Sequence, residues 1–133
     1  MIVRYANEMD AIAIGALIED YYARRNAEPQ FRKMGTWYVA QDEIGAIHAA
    51  QNRADTGTGD RWILDTYCFD SRAGKVGLSL LLTNAYAEAD RDGVALLGVS
   101  EMDNVSMANV VQKHGWTDVG VLRRRAPQVK EVV

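Results

Sequence analysis

The chain has 133 residues, 48% apolar and 25% charged, the balance of a globular domain long enough to bury a core. A formal net charge of −3 excludes a general nucleic-acid binder, which would carry a strong basic excess. One cysteine, Cys68, excludes an internal disulfide, and two well-separated histidines add no metal-ligand cluster. The lack of a charged-then-apolar leader and of a long apolar span points to a cytoplasmic protein with no membrane partner.

Ile2 to Tyr5 predicts a short strand. Asn7 or Asp10 caps the helix that follows, in which Ile14, Leu17, Ile18 and Tyr21 fall at i, i+3, i+4 and i+7 on one face. Arg24-Arg25-Asn26 ends that helix, and Glu28-Pro29 marks a loop. Trp37 to Ala40 predicts a strand, Gln41-Asp42 a polar turn and Glu43 to Ala50 a second strand, together a hairpin. Residues Asp55 to Asp60 form the clearest loop, and Trp62 to Phe69 the clearest strand. Ser71 to Gly77 then predicts a basic, glycine-bearing turn, and Leu78 to Ala89 a helix stopped by Arg91-Asp92-Gly93. Val94 to Val99 is almost wholly apolar, as in a central strand covered on both faces. Asp103 or Asn104 caps a helix through Lys113, with Gly115 at its stop, and Trp116 to Arg125 is the last strand. The order β-α-β-β-β-α-β-α-β describes a single α/β (α+β) domain over residues 1–126, with a mixed, mainly antiparallel sheet flanked by helices and a tail over 127–133.

The strand-to-helix junction at residues 69–78 carries the chemistry. A pyrophosphate needs donors that point one way and room for the backbone to approach. The first turn of a helix supplies the donors and glycines supply the room. Arg72 and Lys75 add charge. A glycine-bearing turn of this kind is also a common structural device. It is no P-loop, because Gly74-Lys75 has neither the upstream glycine at the right spacing nor a following Ser or Thr.

Together with Asn104 to Trp116, this junction resembles the cofactor-binding half of the GNAT acetyltransferases. The family signature is Gln or Arg, two residues, Gly, one residue, then Gly or Ala. Arg72-Ala-Gly-Lys-Val-Gly77 matches it at Arg72 and Gly77, with Lys75 in place of the middle glycine and Gly74 beside it. The family's later pattern matches at Asn104, Lys113, Gly115 and Trp116, while Val111 stands where the family carries a tyrosine. The resemblance implies acetyl-coenzyme A as co-substrate, held at Arg72, Ala73, Gly74, Lys75, Val76, Gly77 and Asn104. Its pantetheine arm would run along the splayed strand end at Asp65, Thr66 and Tyr67.

The activity so implied is direct acetyl transfer to a primary amine of a small molecule or protein. The acidic balance of residues 1–60, six Lys or Arg against nine Asp or Glu, suits a cationic acceptor and equally an ordinary solvated surface. Asp65, a charge within an apolar strand, is the candidate catalytic base, with a structural aspartate as the alternative; Glu101 and Asp103 are the carboxylates nearest the family's other base position. Val111 supplies no proton to a departing thiolate. His48 titrates in a useful range, but a lone histidine is more often structural. Tyr21, Tyr22 and Trp37 either line an acceptor pocket or pack the core. Arg123, Arg124 and Arg125 would alternate across a strand and are too few for nucleic acid. Lys75 and Val111 also motivate an alternative, a GNAT-like binding or structural subunit without catalysis. A homodimer is compatible with either.

Overall fold

The computed structural model describes residues 1–31, 34–99, 113, 115, 117–119 and 122–128. Its strands are β1 (Ile2–Tyr5), β2 (Thr36–Gln41), β3 (Ile47–Asp55), β4 (Asp60–Cys68), β5 (Ala95–Val99), β6 (Thr117–Val119) and β7 (Leu122–Arg125). The α-helices with both ends among the described residues are α1 (Ala11–Ala23) and α2 (Arg72–Asp92), with a 3-10 turn at Glu8–Asp10 before α1. The sheet order is β1-β2-β3-β4-β5-β7-β6. The pairs β1–β2, β2–β3, β5–β7 and β6–β7 are antiparallel, and β4–β5 is parallel. Such a sheet is mixed and mainly antiparallel, as expected. The chain forms two compact units, Met1–Arg53 with Asp65–Asn84, and Ala54–Leu64 with Ala85–Val133.

In the first unit a capping box at Asn7 precedes α1. The Asn7 Oδ1 accepts from the Met9 amide at 2.9 Å, and the Asp10 Oδ2 accepts from the Asn7 amide at 2.7 Å. Asp10 also receives both terminal nitrogens of Arg4, at 2.7 and 2.9 Å. Helix α1 then buries Ile14, Leu17 and Ile18 against Val39, Ala50 and Tyr67. The opposite face of β2 and β3 presents Tyr38, Ala40 and Ala49 to Leu81 of α2. Strand alternation explains the division, since Val39 and its neighbours Tyr38 and Ala40 must point to opposite faces. In the second unit Ala85, Ala89 and Leu96 form the core with Ile63, Tyr86 and Val94. Arg125 is buried, forks onto Asp90 at 2.8 and 3.3 Å and lies over the Tyr86 ring. The Gln128 amide also donates to Asp90, at 2.8 Å.

Several boundaries differ from the sequence expectation, each for a local reason. The second hairpin strand begins at Ile47 rather than Glu43. Asp42 takes residues 42–46 into the turn: its Oδ1 accepts from the Ile44 and Ala46 amides at 3.0 and 2.9 Å, and Gly45 has φ 93°. That strand continues to Asp55, so the expected loop at Asp55–Asp60 shrinks to residues 56–59, where Gly57 and Gly59 have φ of 81° and 90°. Strand β4 starts at Asp60 and ends at Cys68. Residues 72–77, expected as a turn, are the first turns of α2. The expected single strand over 116–125 is the antiparallel pair β6 and β7, with Thr117 opposite Arg124. Lys113 is helical; the rest of the helix expected before it lies outside the described residues.

Candidate functional site

The junction between β4 and α2 is built by Ser71. Its Oγ accepts from the Gly74 amide at 3.0 Å and its carbonyl accepts from the Lys75 amide at 3.0 Å, the arrangement of a serine N-cap. The Ser71 amide itself donates to the Phe69 carbonyl at 2.9 Å. Gly74 is required by this tight path, because a Cβ there would collide with the Phe69 carbonyl oxygen. Of the four orphan amides at this helix start, that of Ser71 is bonded to the Phe69 carbonyl and that of Gly74 to the Ser71 hydroxyl, while the Lys75 amide makes the first bond of the helix ladder. The amides of Arg72 and Ala73 have no partner among the described residues. Arg72 and Lys75 are both exposed, and the Lys75 Nζ lies 3.9 Å from Asp70. The site therefore offers two open amides and two exposed cationic side chains.

Val76 and Gly77 lie past that first turn, where amides bond within the helix. Gly77 faces inward: a Cβ there would stand 3.1 Å from the Cβ atoms of both Ala40 and Ala49. Packing of the helix on the sheet accounts for this glycine.

In the second unit, Arg61 of β4 reaches Asp92 of α2 at 3.1 Å and Ile63 packs with Ala85 and Ala89. In the first unit, Thr66 and Cys68 point to the α2 side: the Thr66 hydroxyl accepts from Gln51 at 3.0 Å, and Cys68 packs with Leu81. The parallel pairing with β5 runs from Asp60↔Ala95 to Ile63↔Gly98; residues 100–112 lie outside the described residues.

Asp65 is half-buried, and Tyr67 is turned toward α1. The Tyr67 ring meets Tyr21 edge-on at 5.1 Å and stacks on Trp37 at 6.2 Å, while Tyr21 and Tyr22 pack at 5.1 Å. The Arg25 guanidinium covers the Tyr21 ring at 3.6 Å. Burial, then the nearby Asp65 carboxylate and a hydrogen bond with Tyr22, push the Tyr67 hydroxyl well above the usual tyrosine range. Burial likewise raises the Cys68 thiol, which makes it a poor nucleophile.

His48 lies 2.7 Å from Asp42 and, by that hydrogen bond, holds its carboxyl below the usual range. This pair ties the β2–β3 turn. Asn104, Glu101, Asp103, Val111 and Trp116 lie outside the described residues; Lys113 is exposed and Gly115 has φ 83°. Of the three consecutive arginines, Arg125 is turned inward onto Asp90. Sequence reasoning missed the buried polar run Gln51, Asn52 and Arg53, and its half-buried partner Asn84. The run Gln51-Asn52-Arg53 looks like surface, and its polarity hid a strand.

No protein-family model and no curated protein matches the chain. Solved structures do. An acetyltransferase of the GNAT family from Staphylococcus aureus Mu50 superposes with a TM-score of 0.79 at 7% identity, over 96% of this chain and 99% of that one. The ribosomal-protein-S18-alanine N-acetyltransferase from Escherichia coli gives 0.76 at 10% identity, over 98% and 96%. An N-acetylglutamate synthase from Neisseria gonorrhoeae, complexed with coenzyme A and N-acetyl-glutamate, gives 0.74 at 12% identity, over 96% of this chain and 35% of that one. The chain has the GNAT acetyltransferase fold. Among the described residues no helix is long and apolar enough to cross a membrane, and no group of His, Cys, Asp or Glu could hold a metal ion.

Proposed function

We propose that the chain is an N-acetyltransferase that moves an acetyl group from acetyl-coenzyme A directly to a primary amine of a small molecule or protein. The observation that carries this reading is the Ser71-capped start of α2, with the Arg72 and Ala73 amides open beside the Arg72 and Lys75 charges. Such a helix start suits a pyrophosphate. The end of β4 at Asp65, Thr66 and Tyr67 suits the extended pantetheine arm, and Asn104 is the further contact that the motif supplies.

Acetyl-coenzyme A brings an already activated thioester. The chain's own task is to align the amine and take its proton as the N–C bond forms and the C–S bond breaks. In this reading Asp65 of β4 takes that proton; it lies near Tyr67, whose ring packs with Tyr21 and Trp37, an aromatic group that suits the apolar part of an acceptor. With Val111 at the usual tyrosine position, solvent protonates the thiolate and turnover is slow.

Calorimetric titration with coenzyme A tests the reading, followed by a panel of amines with acetyl-coenzyme A. Expected are binding that weakens with salt, a shallower salt dependence in Lys75→Gly, and slow acetyl transfer. Absence of binding overturns the proposal. Binding with no transfer to any amine selects the non-catalytic alternative.

A further inference from the structure

A chain of buried hydrogen bonds joins β3, β4 and α2 within the first unit. The Gln51 Nε2 donates to the Thr66 hydroxyl at 3.0 Å, and the Gln51 Oε1 accepts from the Arg53 Nε at 2.7 Å. Arg53 then forks onto α2, its Nη1 donating to the Asn84 Oδ1 at 2.9 Å and its Nη2 to the Leu81 carbonyl at 3.0 Å. The guanidinium also lies 3.8 Å over the Tyr38 ring. Gln51 is 0% and Arg53 2% exposed.

A buried guanidinium is an expensive way to fill a core. Desolvating it costs several kcal/mol, and apolar side chains of similar volume usually hold a fold as well or better. What the fork gives, and an apolar contact cannot, is a fixed height of one element against another. The Leu81 carbonyl is about 13 Å along the helix axis from Arg72. Bonding Arg53 there sets how far the first turn of α2 extends beyond the sheet. Bonding Gln51 to Thr66 ties the end of β4 to β3 at a fixed place.

We propose that Gln51 and Arg53 are positioning residues for the cofactor. They fix the backbone at Asp65–Tyr67 in register with the phosphate-facing turn at Arg72–Ala73, so that one extended molecule meets both. The inference rests on the function proposed above. Neither residue touches the ligand. They act through Thr66 and through α2.

The test removes the Gln51–Thr66 bond from each side. Thr66→Val, near-isosteric, is expected to weaken calorimetric coenzyme A binding about tenfold, the equivalent of one hydrogen bond, and Gln51→Leu, which also removes the acceptor of the Arg53 Nε, by at least as much. In Gln51→Leu the KM for acetyl-coenzyme A should rise by the same factor as the dissociation constant while kcat and the KM for the amine stay within about twofold. Thr66→Ser restores the hydroxyl and should recover most of the affinity that Thr66→Val loses. The double variant should add little to Gln51→Leu, which already removes the Thr66 bond. A folded Thr66→Val protein with a lowered Tm but unchanged affinity overturns the inference, whatever Gln51→Leu does. A wild type that binds no coenzyme A overturns the reading beneath it, and the inference with it.

Discussion

The two faces of the β2–β3 sheet are packed by different means. On the α1 face, Ile14, Leu17, Ile18, Val39, Ala50 and Tyr67 bury large apolar side chains. On the α2 face, Ala40, Ala49 and Gly77 let the helix come close, and Arg53 bonds it by its Leu81 carbonyl and the Asn84 side-chain oxygen. Burial of apolar area is non-directional; the directional ties of α1 fall at its two ends, where Asp10 holds Arg4 and Arg24 donates to the Cys68 carbonyl. Close approach and a guanidinium fork within the helix are directional, so α2 has a defined height. The helix with the defined height is the one whose first turn carries the open Arg72 and Ala73 amides.

The largest expected effect tests the close approach. Gly77→Asp would drive a carboxylate into the Ala40 and Ala49 methyls. Stability should fall by roughly 3 to 5 kcal/mol from overpacking and an unpaired buried charge. Denaturant midpoints measure it. Gly77→Ala sharpens the result: a loss under about 1 kcal/mol would show that the helix can retreat a few tenths of an ångström, and that the α2 face is looser than the contrast requires. A smaller effect is expected on the other face. Leu17 is 0% exposed, and Leu17→Ala should cost about 3 kcal/mol by leaving a cavity, with coenzyme A affinity of the folded protein unchanged. An affinity that drops with Leu17→Ala would break the contrast between the faces.

The smallest effect concerns Asp10, a directional contact at the start of α1. Its hydrogen bonds with Arg4 hold the carboxyl below the usual range. The sign follows from linkage: a carboxylate lowered in the folded state adds stability above its unfolded pKa, and that stability is lost as pH falls through the folded value. Asp10→Asn should therefore lower stability by about 1 to 2 kcal/mol at neutral pH. The gap should close as pH drops through the acidic range, read from paired Tm curves. A gap that widens in acid would refute the assignment.

Periodicity made α1, most of α2 and the apolar strands legible, because amphipathic spacing is a property of the chain alone. The helix face Ile14, Leu17 and Ile18, the strand expected at Trp62–Phe69 and the basic glycine-bearing junction were all visible there. The start of α2 was not. Gly74 and Gly77 lower helix propensity by about 1 kcal/mol each, and they read as a turn. Ser71 capping, a local contact, and the sheet beneath Gly77, a tertiary one, outweigh that preference. The same limit hid the polar half of β3. Gln51, Asn52 and Arg53 belong on a surface by composition, and nothing local says that their partners are Thr66, Met34, Asn84 and a helix carbonyl. The sequence by itself determined which segments are regular and where a basic, glycine-bearing strand-to-helix junction falls, since both follow from spacing and charge. Only the tertiary structure decided that one glycine serves a tight turn and another serves packing, and that the polar end of β3 is buried. Those choices depend on what stands opposite each residue, and the chain brings that neighbour from far away.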